Sequence, residues 1–467
     1  MRGFGSVEFL IKRFREARTR PALVWKDRVF TYDDLLERIG FWLESFEQRG
    51  IAPGTVTVLH GDFSPGAVAL MLALISKECI IVPLTPALAS KKTEFVEIAQ
   101  GQVVFKFDEN DQVETRQQTG QAKHELYQEL RKRKHAGLVL FSSGTTGKSK
   151  AILHDMVRLL KKYETPRHDF VTLAFLLFDH IAGIDTLFYC LSNKSCLVTL
   201  EDRSPDSVCR AIEKYKVEVL PVSATFLNLL IYSEAYKRYD LSSLKYIAYG
   251  SEVMLQSTLD KCARLFPGVT ILQKYGTTEV GTLRSKSRSS DSLWVKLGGE
   301  GFETRVVDGV LQIKAHSAMM GYLNAPSPFT EDGWFVTGDR VEQDGEYFRI
   351  YGRACDIINV GGEKVSPTEI EDFIQTLDNV AEVVVYGEKN NITGNIVCAD
   401  VSLVKQEDPK ECILRIKKAC YQNLQPWKVP VKINIVDSIS LSERFKKVRR
   451  QAQDEPFEVD KASETNG

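Results

Sequence analysis

Phe141-Ser-Ser-Gly-Thr-Thr-Gly-Lys-Ser-Lys150 carries the strongest local signal in this sequence. The segment follows an apolar run, Leu138–Phe141, and precedes a helical pattern that begins near His154. Its glycines allow successive backbone N–H groups to turn toward one anion, while its hydroxyls and lysines add donors and positive charge. We therefore predict a loop that binds phosphate, with a polar surface loop as the alternative for this segment alone. A Walker-type P-loop needs glycine where this chain has Ser142, which excludes the motor and switch NTPases.

Strand and helix patterns alternate on the N-terminal side of this loop. Val56–Leu59 and Cys79–Pro83 are typical of buried strands, and Gly66–Ser76 between them is typical of a buried helix. Strand–helix–strand units of this kind predict an α/β fold with parallel-rich sheets flanked by helices. Thr31 can cap an earlier helix, whose apolar stripe is Leu36, Ile39, Leu43 and Phe46.

The pattern changes on the C-terminal side of the loop. A β-rich stretch with Val306–Lys314 and Tyr347–Ile350 as candidate strands gives way to a compact βα pattern of small-domain size. Ser366-Pro-Thr-Glu369 predicts a helix start, with Ser as the cap and Pro in the first turn. We expect a domain boundary at Gly352–Asp356.

Composition narrows the class of protein. The 467 residues include 61 Lys plus Arg against 62 Asp plus Glu, a balance that gives no electrostatic reason to expect nucleic acid or an anionic membrane as partner. The nine cysteines include no C-x-x-C pair. The most apolar stretches are too short or too interrupted by charge to span a membrane. We expect a cytoplasmic enzyme. The basic run at 130–135 is expected to form a solvated helix face.

Four more segments carry suitable chemistry. Tyr275-Gly-Thr-Thr-Glu279 offers an aromatic face that can stack on a purine and a carboxylate that can hold Mg²⁺ against phosphate oxygens. Thr337-Gly-Asp339 ends a predicted strand, and one carboxylate can accept both hydroxyls of a ribose. Gly352-Arg353 begins the boundary segment, and a basic run covers residues 443–450.

In this order, the segments resemble the adenylate-forming superfamily, which includes acyl-CoA synthetases, nonribosomal-peptide adenylation domains and luciferases. The resemblance covers nearly the whole chain, from Phe30 to Arg450. It implies a large N-terminal domain over 1–351 that binds ATP and an acid, with parallel-rich sheets and a β-rich subdomain. A hinge over 352–356 and a small, mobile α+β lid domain over 357–467 would follow. Cys355 or Asp356 would be the hinge pivot, and Gly361-Gly362 would meet a pantetheine arm.

The resemblance also implies site residues. Tyr275 would stack on adenine, Thr278 would touch the α-phosphate and Glu279 would bind Mg²⁺. The ATP-binding set would be Ser143, Gly144, Thr145, Thr146, Gly147, Lys150, Gly250, Ser251, Glu252, Tyr275, Asp339 and Arg353. The catalytic set would be Lys447, Thr278, Glu279 and His180, with Lys446, which replaces the family's glycine, as the alternative lysine. The acyl pocket would include Ile247, Tyr249, Lys274 and Thr282.

The implied reaction has two steps. A small carboxylic acid and Mg·ATP give acyl-AMP and pyrophosphate, and a thiol then takes the acyl group. The thiol would belong to CoA or, as the alternative, to the phosphopantetheine of a carrier protein. A catalytically inactive AMP-binding regulatory protein is the third hypothesis, favoured by Lys446 and Cys355 at positions where the family has other residues. A buried lysine at position 274 needs a partner, which would be Asp179, another acid of the protein, or a polar or anionic group of the substrate. We expect a polar or short acyl chain rather than a long fatty acid.

Overall fold

The structure, a computed structural model, describes residues 4–118, 120–143, 149–442 and 445–449. The chain divides into two compact units, each with its own core. Of the described residues, the first unit contains 4–351 together with Phe445 and Lys446. The second unit contains 352–442 and 447–449.

The helices lie in both units. They are α1 (Glu8–Glu16), α2 (Tyr32–Gln48), α3 (Pro65–Ser76), α4 (Lys92–Ile98), α5 (Glu125–Arg133), α6 (Met156–Leu160), α7 (Ile181–Ser192), α8 (Pro205–Tyr215), α9 (Ala224–Ser233), α10 (Gln256–Leu265), α11 (Pro367–Ile374) and α12 (Pro409–Asn423). None of the helices within the described ranges is both long and apolar enough to cross a bilayer.

The strands up to the acyl-pocket region are β1 (Pro21–Trp25), β2 (Arg28–Thr31), β3 (Val56–His60), β4 (Ile80–Leu84), β5 (Val103–Phe107), β6 (Val113–Gln117), β7 (Gly137–Ser143), β8 (Ser149–Asp155), β9 (Thr172–Leu173), β10 (Leu197–Val198), β11 (Val219–Ser223), β12 (Tyr246–Gly250) and β13 (Thr270–Gln273). The later strands are β14 (Gly276–Thr277), β15 (Gly281–Thr282), β16 (Ser285–Ser287), β17 (Trp294–Leu297), β18 (Phe302–Val307), β19 (Val310–Ala315), β20 (Gly321–Tyr322), β21 (Phe335–Asp344), β22 (Tyr347–Arg353), β23 (Ile358–Val360), β24 (Glu363–Val365), β25 (Val380–Asn390), β26 (Gly394–Leu403) and β27 (Lys432–Ile435).

Two parallel-rich sheets form most of the first unit, in the orders β13-β12-β11-β9-β10-β1-β2 and β20-β8-β7-β4-β3-β5-β6. The pairings of β12 with β11 and β13, and of β3 with β4 and β5, are parallel. A third sheet, β16-β17-β22-β21-β19-β18, is the β-rich part, and β23 to β27 form the sheet of the second unit. The predicted fold class is confirmed.

Helix α2 shows how the sequence sets these elements. Thr31 caps it with a full capping box, in which the Asp34 carboxylate accepts from the Thr31 N–H at 2.6 Å. The predicted stripe is confirmed at Ile39 and Phe46, which are buried, and Leu36 and Leu43 pack partly buried against the same core, in which Leu35 and Trp42 lie deeper. Both sets of positions have helical spacing, so the stripe alone does not fix which of them lie deeper.

One strand prediction is wrong. Val306–Lys314 is not one strand but the β18–β19 hairpin, because Asp308-Gly309 adopts positive φ angles of 51° and 74° and turns the chain. The helix start predicted at Ser366-Pro-Thr-Glu369 is confirmed, because α11 begins at Pro367 with Ser366 at the N-cap position, although the Ser366 side chain makes no capping hydrogen bond.

The basic run at 130–135 is partly structural. The Arg131 guanidinium donates to the Gly54 carbonyl at 2.9 Å and to the Ala122 carbonyl at 2.8 Å. The run therefore also joins neighbouring segments, beyond forming a solvated face.

Candidate active site

Strands β7 and β8 flank the predicted phosphate loop and pair up to Ser143 and Ser149. Gly144, Thr145, Thr146 and Gly147 lie outside the described residues, and so does the side chain of Ser143. Lys150 is described at the start of β8, where its Nζ lies 5.1 Å from the centre of the Tyr322 ring. The lysine that the resemblance assigns to ATP is therefore positioned by an aromatic side chain.

Tyr322 links Lys150 to the predicted metal ligand. Its hydroxyl donates to Glu279 Oε1 at 2.9 Å, and β20 holds Tyr322 opposite Ile152 on β8. The Glu279 carbonyl accepts from the Met319 N–H at 2.7 Å, which fixes the backbone as well. The structure thus brings Lys150 and Glu279 together, although they are far apart in sequence.

The backbone carbonyl of Thr278 is hydrogen-bonded to the buried side chain of His154. His154, at 0% exposure, lies within 2.6 Å of the Thr278 carbonyl oxygen through Nε2. Burial is the largest influence on this imidazole and lowers its pKa, so the neutral ring with a proton on Nε2 donates to that carbonyl. Sequence reasoning placed His154 only at a helix start; it ends up in β8, and its spacing gave no signal of this role.

The predicted adenine and ribose residues also meet. The Tyr275 hydroxyl donates to Asp339 Oδ2 at 2.5 Å, and both residues are buried. The Asp339 N–H donates to Thr337 Oγ1 at 3.0 Å, and Gly338 between them has a φ of 75°. Asp339 is thereby oriented from two sides.

The segment after β12 is fixed by close backbone contacts. A Cβ on Gly250 would lie 2.7 Å from the Lys274 carbonyl oxygen, so the ends of β12 and β13 require glycine there. Ser251 follows with a φ of 73°. Glu252 accepts from the Thr225 N–H at 2.8 Å through Oε1, so this predicted ATP residue stabilises the first turn of α9.

His180 caps α7, and its Nδ1 accepts from the Ala182 N–H at 3.4 Å. A Cβ on Gly183 would lie only 1.9 Å from the Leu177 carbonyl oxygen, so the chain can fold this tightly only with glycine. Asp179, at 3% exposure, accepts from the Thr85 N–H at 3.1 Å and the Thr85 hydroxyl at 2.7 Å. The Asp179 carboxylate is therefore buried and bonded to Thr85. The neighbouring His180 is only half-buried, so its side chain keeps some accessible surface.

Phe445 anchors the segment that carries Lys446 in the first unit. Its carbonyl accepts from the Ser223 hydroxyl at 2.8 Å, and its ring lies 5.3 Å from that of Phe175 and 6.0 Å from that of Phe226. A small cavity beside this anchor is lined by Phe175, Leu176, Leu177, His180, Arg203, Ser251, Phe445 and Lys446. The structure therefore brings Lys446, His180 and Ser251 to one cavity.

Lys447 lies in a different environment, within the second unit. Its Nζ pairs with Glu382 Oε1 at 2.5 Å and donates to the Val383 carbonyl at 3.0 Å. The two side chains are 12% and 8% exposed, so the ion pair is nearly buried. The nearby Arg449 pairs with Glu371 at 2.7 Å in the same unit. The two adjacent lysines thus have separate partners.

The predicted hinge residues are exposed or half-buried in the second unit. Cys355 Sγ lies 3.8 Å from Asp356 Oδ1, and partial burial followed by this carboxylate raises the pKa of the thiol. Asp356 Oδ2 lies 3.8 Å from a guanidinium nitrogen of Arg449, whereas Arg353 is exposed. Gly361 and Gly362 have φ angles of 59° and 96°, which suit the predicted close approach of a ligand.

The four acyl-pocket candidates divide into two pairs. Ile247 and Tyr249 are at 0% and 1% exposure and pack in the core of the first unit, so neither offers accessible surface. Lys274 is exposed and Thr282 half-buried. Lys162 and Asp185, which sequence reasoning did not select, lie beside Thr282, because Lys162 donates to its carbonyl at 3.1 Å and pairs with Asp185. The sequence offered one signal for this pair, the charged Asp185 within the mostly apolar helix α7.

Comparison with known proteins identifies the family of this chain. A family model described as AMP-binding enzyme matches residues 11–323, and a model described as AMP-binding enzyme C-terminal domain matches residues 369–446. The chain belongs to the AMP-binding enzyme family. The predicted resemblance to the adenylate-forming superfamily is confirmed, and so, at the level of the family, is the predicted class of AMP-forming acid–thiol ligase.

Individual relatives of this AMP-binding family member are distant. It is 24% identical to the 4-coumarate–CoA ligase-like 9 of Arabidopsis thaliana, over 90% of this chain and 84% of the relative. It is 30% identical to a long-chain-fatty-acid–CoA ligase of Haemophilus influenzae, over 58% of this chain but only 50% of that relative. The structure of an anthranilate CoA ligase in complex with anthranoyl-AMP superposes with a TM-score of 0.80 at 18% identity, covering 95% of both chains, which supports the fold alone.

Proposed function

We propose that this protein joins a small carboxylic acid to AMP at the expense of ATP and then transfers the acyl group to CoA. The observation that carries the proposal is the position of the segment 275–279. Its Tyr275 contacts Asp339, the predicted ribose residue, and its Glu279 is joined through Tyr322 to Lys150, the predicted phosphate residue. One short segment therefore connects the residues that the sequence analysis assigns to ribose, metal and phosphate.

Glu279 would hold Mg²⁺. Mg²⁺ keeps most of its waters and is bound through one or two carboxylates together with substrate phosphates, so a single carboxylate beside Lys150 fits it. Across the described ranges, no group of three or more His, Cys, Asp or Glu side chains is arranged to hold an ion without substrate. When bound, the ion neutralises charge on the phosphate oxygens.

Lys446 is our choice for the lysine that stabilises the first step. A carboxylate oxygen attacks the α-phosphorus, the bond to pyrophosphate breaks, and negative charge develops on the phosphoryl oxygens. Lys446 shares a cavity with His180 and Ser251, whereas Lys447 is engaged by Glu382. A positioned ammonium stabilises developing charge without reorganising, and this role fits the lysine at the cavity.

The second step transfers the acyl group to sulfur. A thiolate attacks the carbonyl carbon of the acyl-AMP, the carbonyl–oxygen bond to AMP breaks, and AMP leaves with that oxygen. CoA is the favoured thiol because the relatives compared above are named as CoA ligases. Loading of a carrier-protein phosphopantetheine is the second candidate. The nine free cysteines suit a reducing compartment, and we propose the cytoplasm.

The proposed reaction predicts a defined set of products. With ATP, Mg²⁺, CoA and a panel of carboxylic acids, we expect AMP and pyrophosphate to form only when a suitable acid is present, and an acyl-CoA to appear with them. Liquid chromatography with mass spectrometry measures all three products.

A parallel reaction with a holo carrier protein in place of CoA identifies the acceptor. A thioester on the carrier alone would replace CoA in the proposal. AMP binding without turnover across the acid panel would instead support the inactive regulatory protein.

A further inference from the structure

Two cavities of the first unit meet at the side chain of Arg203. The small cavity described above, which we call the inner cavity, contains His180, Ser251 and Lys446, and Arg203 is part of its lining. A second cavity of about 340 Å³, which we call the outer cavity, is also lined by Arg203. Arg203 therefore borders both cavities.

The outer cavity lies where parallel strands of both large sheets end. Its lining includes Trp25 at the end of β1, Gly61 after β3, Phe107 at the end of β5, Ala174 after β9 and Thr199 after β10. Crevices outside the carboxyl ends of such strands are the usual binding sites of open α/β sheets. The volume also lies within the range of small-molecule pockets, about 300–1,000 Å³. The outer cavity therefore has the position and the size of a route for a substrate.

The Arg203 guanidinium is held in place, yet it has donors to spare. Its Nε donates to the Phe175 carbonyl at 2.6 Å, and its Nη2 lies 3.5 Å from Asp62 Oδ2. Among the residues that the structure describes, Nη1 has no hydrogen-bond acceptor, although the Arg203 side chain is only 14% exposed. Because donors withdrawn from solvent normally have acceptors, these N–H groups suit a ligand atom with negative charge.

The two cavities differ in charge. Besides Arg203, the charged residues that line the outer cavity are Lys26, Asp62, Asp108, Glu109 and Glu201. Carboxylates are therefore in excess there, whereas Lys446 gives the inner cavity a second cation. A thiol that moves from the outer to the inner cavity leaves a region that disfavours its thiolate form and meets two cations that favour it.

The second step of the proposed reaction needs such a change, because the thiolate and not the thiol is the nucleophile. We infer that Arg203 stabilises the thiolate of the incoming acceptor at the boundary between the two cavities. The thiol releases its proton to solvent water through the outer cavity, and the sulfur attacks the carbonyl carbon of the acyl-AMP. AMP then leaves with the electron pair of the broken carbon–oxygen bond. The inference rests on the proposed function, because it assigns a residue to its second step.

Arg203→Met should slow acyl transfer and spare adenylation. The full-length enzyme forms acyl-AMP from ATP and an acid of the panel in the presence of pyrophosphatase, and is then mixed rapidly with CoA or with N-acetylcysteamine. At neutral pH we expect transfer to either thiol to slow by about 10²-fold, the loss typical of removing one positioned donor from a developing charge. ATP–pyrophosphate exchange should stay within the same order of magnitude as in the wild type.

The pH dependence of transfer distinguishes a role at sulfur from a structural role. A cation beside the sulfur lowers the pKa of the bound thiol, so wild-type transfer should reach its plateau below the pKa of the free thiol. In Arg203→Met the rise should move up toward the pKa of the free thiol, and the loss should nearly disappear at high pH, where thiolate forms without help. Arg203→Lys should retain part of the effect, because it keeps a cation at the boundary.

Arg210→Met is the matched control, because Arg210 is an exposed arginine on α8 of the same unit. It should leave both steps unaffected. A loss in Arg203→Met that is equal for exchange and transfer, or that is the same at every pH, would overturn the inference and leave the proposed function standing. Acyl-AMP that the wild type transfers to neither thiol would overturn the choice of CoA together with the inference. Exchange with none of the acids would overturn the whole proposed function.

Discussion

Lys446→Ala should lower acid-dependent ATP–pyrophosphate exchange by about 10²–10³-fold, the loss typical of removing one positioned donor from a developing charge. Phe445 fixes the lysine in the first unit through Ser223, at the cavity that also contains His180 and Ser251. Nucleotide binding should survive, because Tyr275, Asp339 and Glu279 are untouched. The exchange rate and the affinity for ATP are measured on the same full-length preparation.

Lys447→Met is the matched control for this prediction, since it changes the neighbouring residue. Exchange should stay within the same order of magnitude as in the wild type, at a temperature where circular dichroism shows the chain to be folded. If Lys447→Met abolishes exchange while Lys446→Ala does not, the role belongs to Lys447, as the family pattern of the sequence first indicated.

Lys447→Met should instead destabilise the second unit, by about 3–5 kcal/mol, because it leaves the Glu382 carboxylate buried without its cation. Glu382 is 8% exposed and lies on β25. Hydrogen–deuterium exchange of β25 and β26 in the full-length protein measures the change in local free energy of opening.

Two variants complete this comparison. Lys447→Met combined with Glu382→Met should recover most of the stability, because an apolar pair can replace a buried ion pair without large loss. Lys432→Met removes an exposed pair with Glu388 on the same sheet, with side chains 51% and 45% exposed, and should cost less than about 1 kcal/mol. An equal loss of stability in Lys447→Met and Lys432→Met would contradict the prediction, because burial would then not change the stabilisation by the Lys447–Glu382 pair.

The sequence was sufficient to predict several elements, and two of the segments that it assigned to ATP lie in contact, through Tyr275 and Asp339. Val56–Leu59 and Gly66–Ser76 are strongly apolar and of the right length, so periodicity placed β3 and α3 to within a residue. The β18–β19 hairpin could have been predicted too, because Asp308-Gly309 is a recognised turn signal.

The choice between Lys446 and Lys447 was beyond sequence reasoning. The two residues are adjacent and chemically identical, and only tertiary partners distinguish them: Ser223 binds the carbonyl that precedes one, and Glu382 binds the ammonium of the other.

Transfer of oxygen from the acid to AMP is the most direct test of acid activation through an acyl-adenylate. The acid is labelled with heavy oxygen in its carboxylate and incubated with the enzyme, ATP, Mg²⁺ and CoA, and the nucleotide product is analysed by mass spectrometry. We predict AMP that carries one heavy oxygen atom, because the attacking carboxylate oxygen stays on phosphorus when the thiol displaces AMP. Unlabelled AMP, or ADP with the label in inorganic phosphate, would contradict the account.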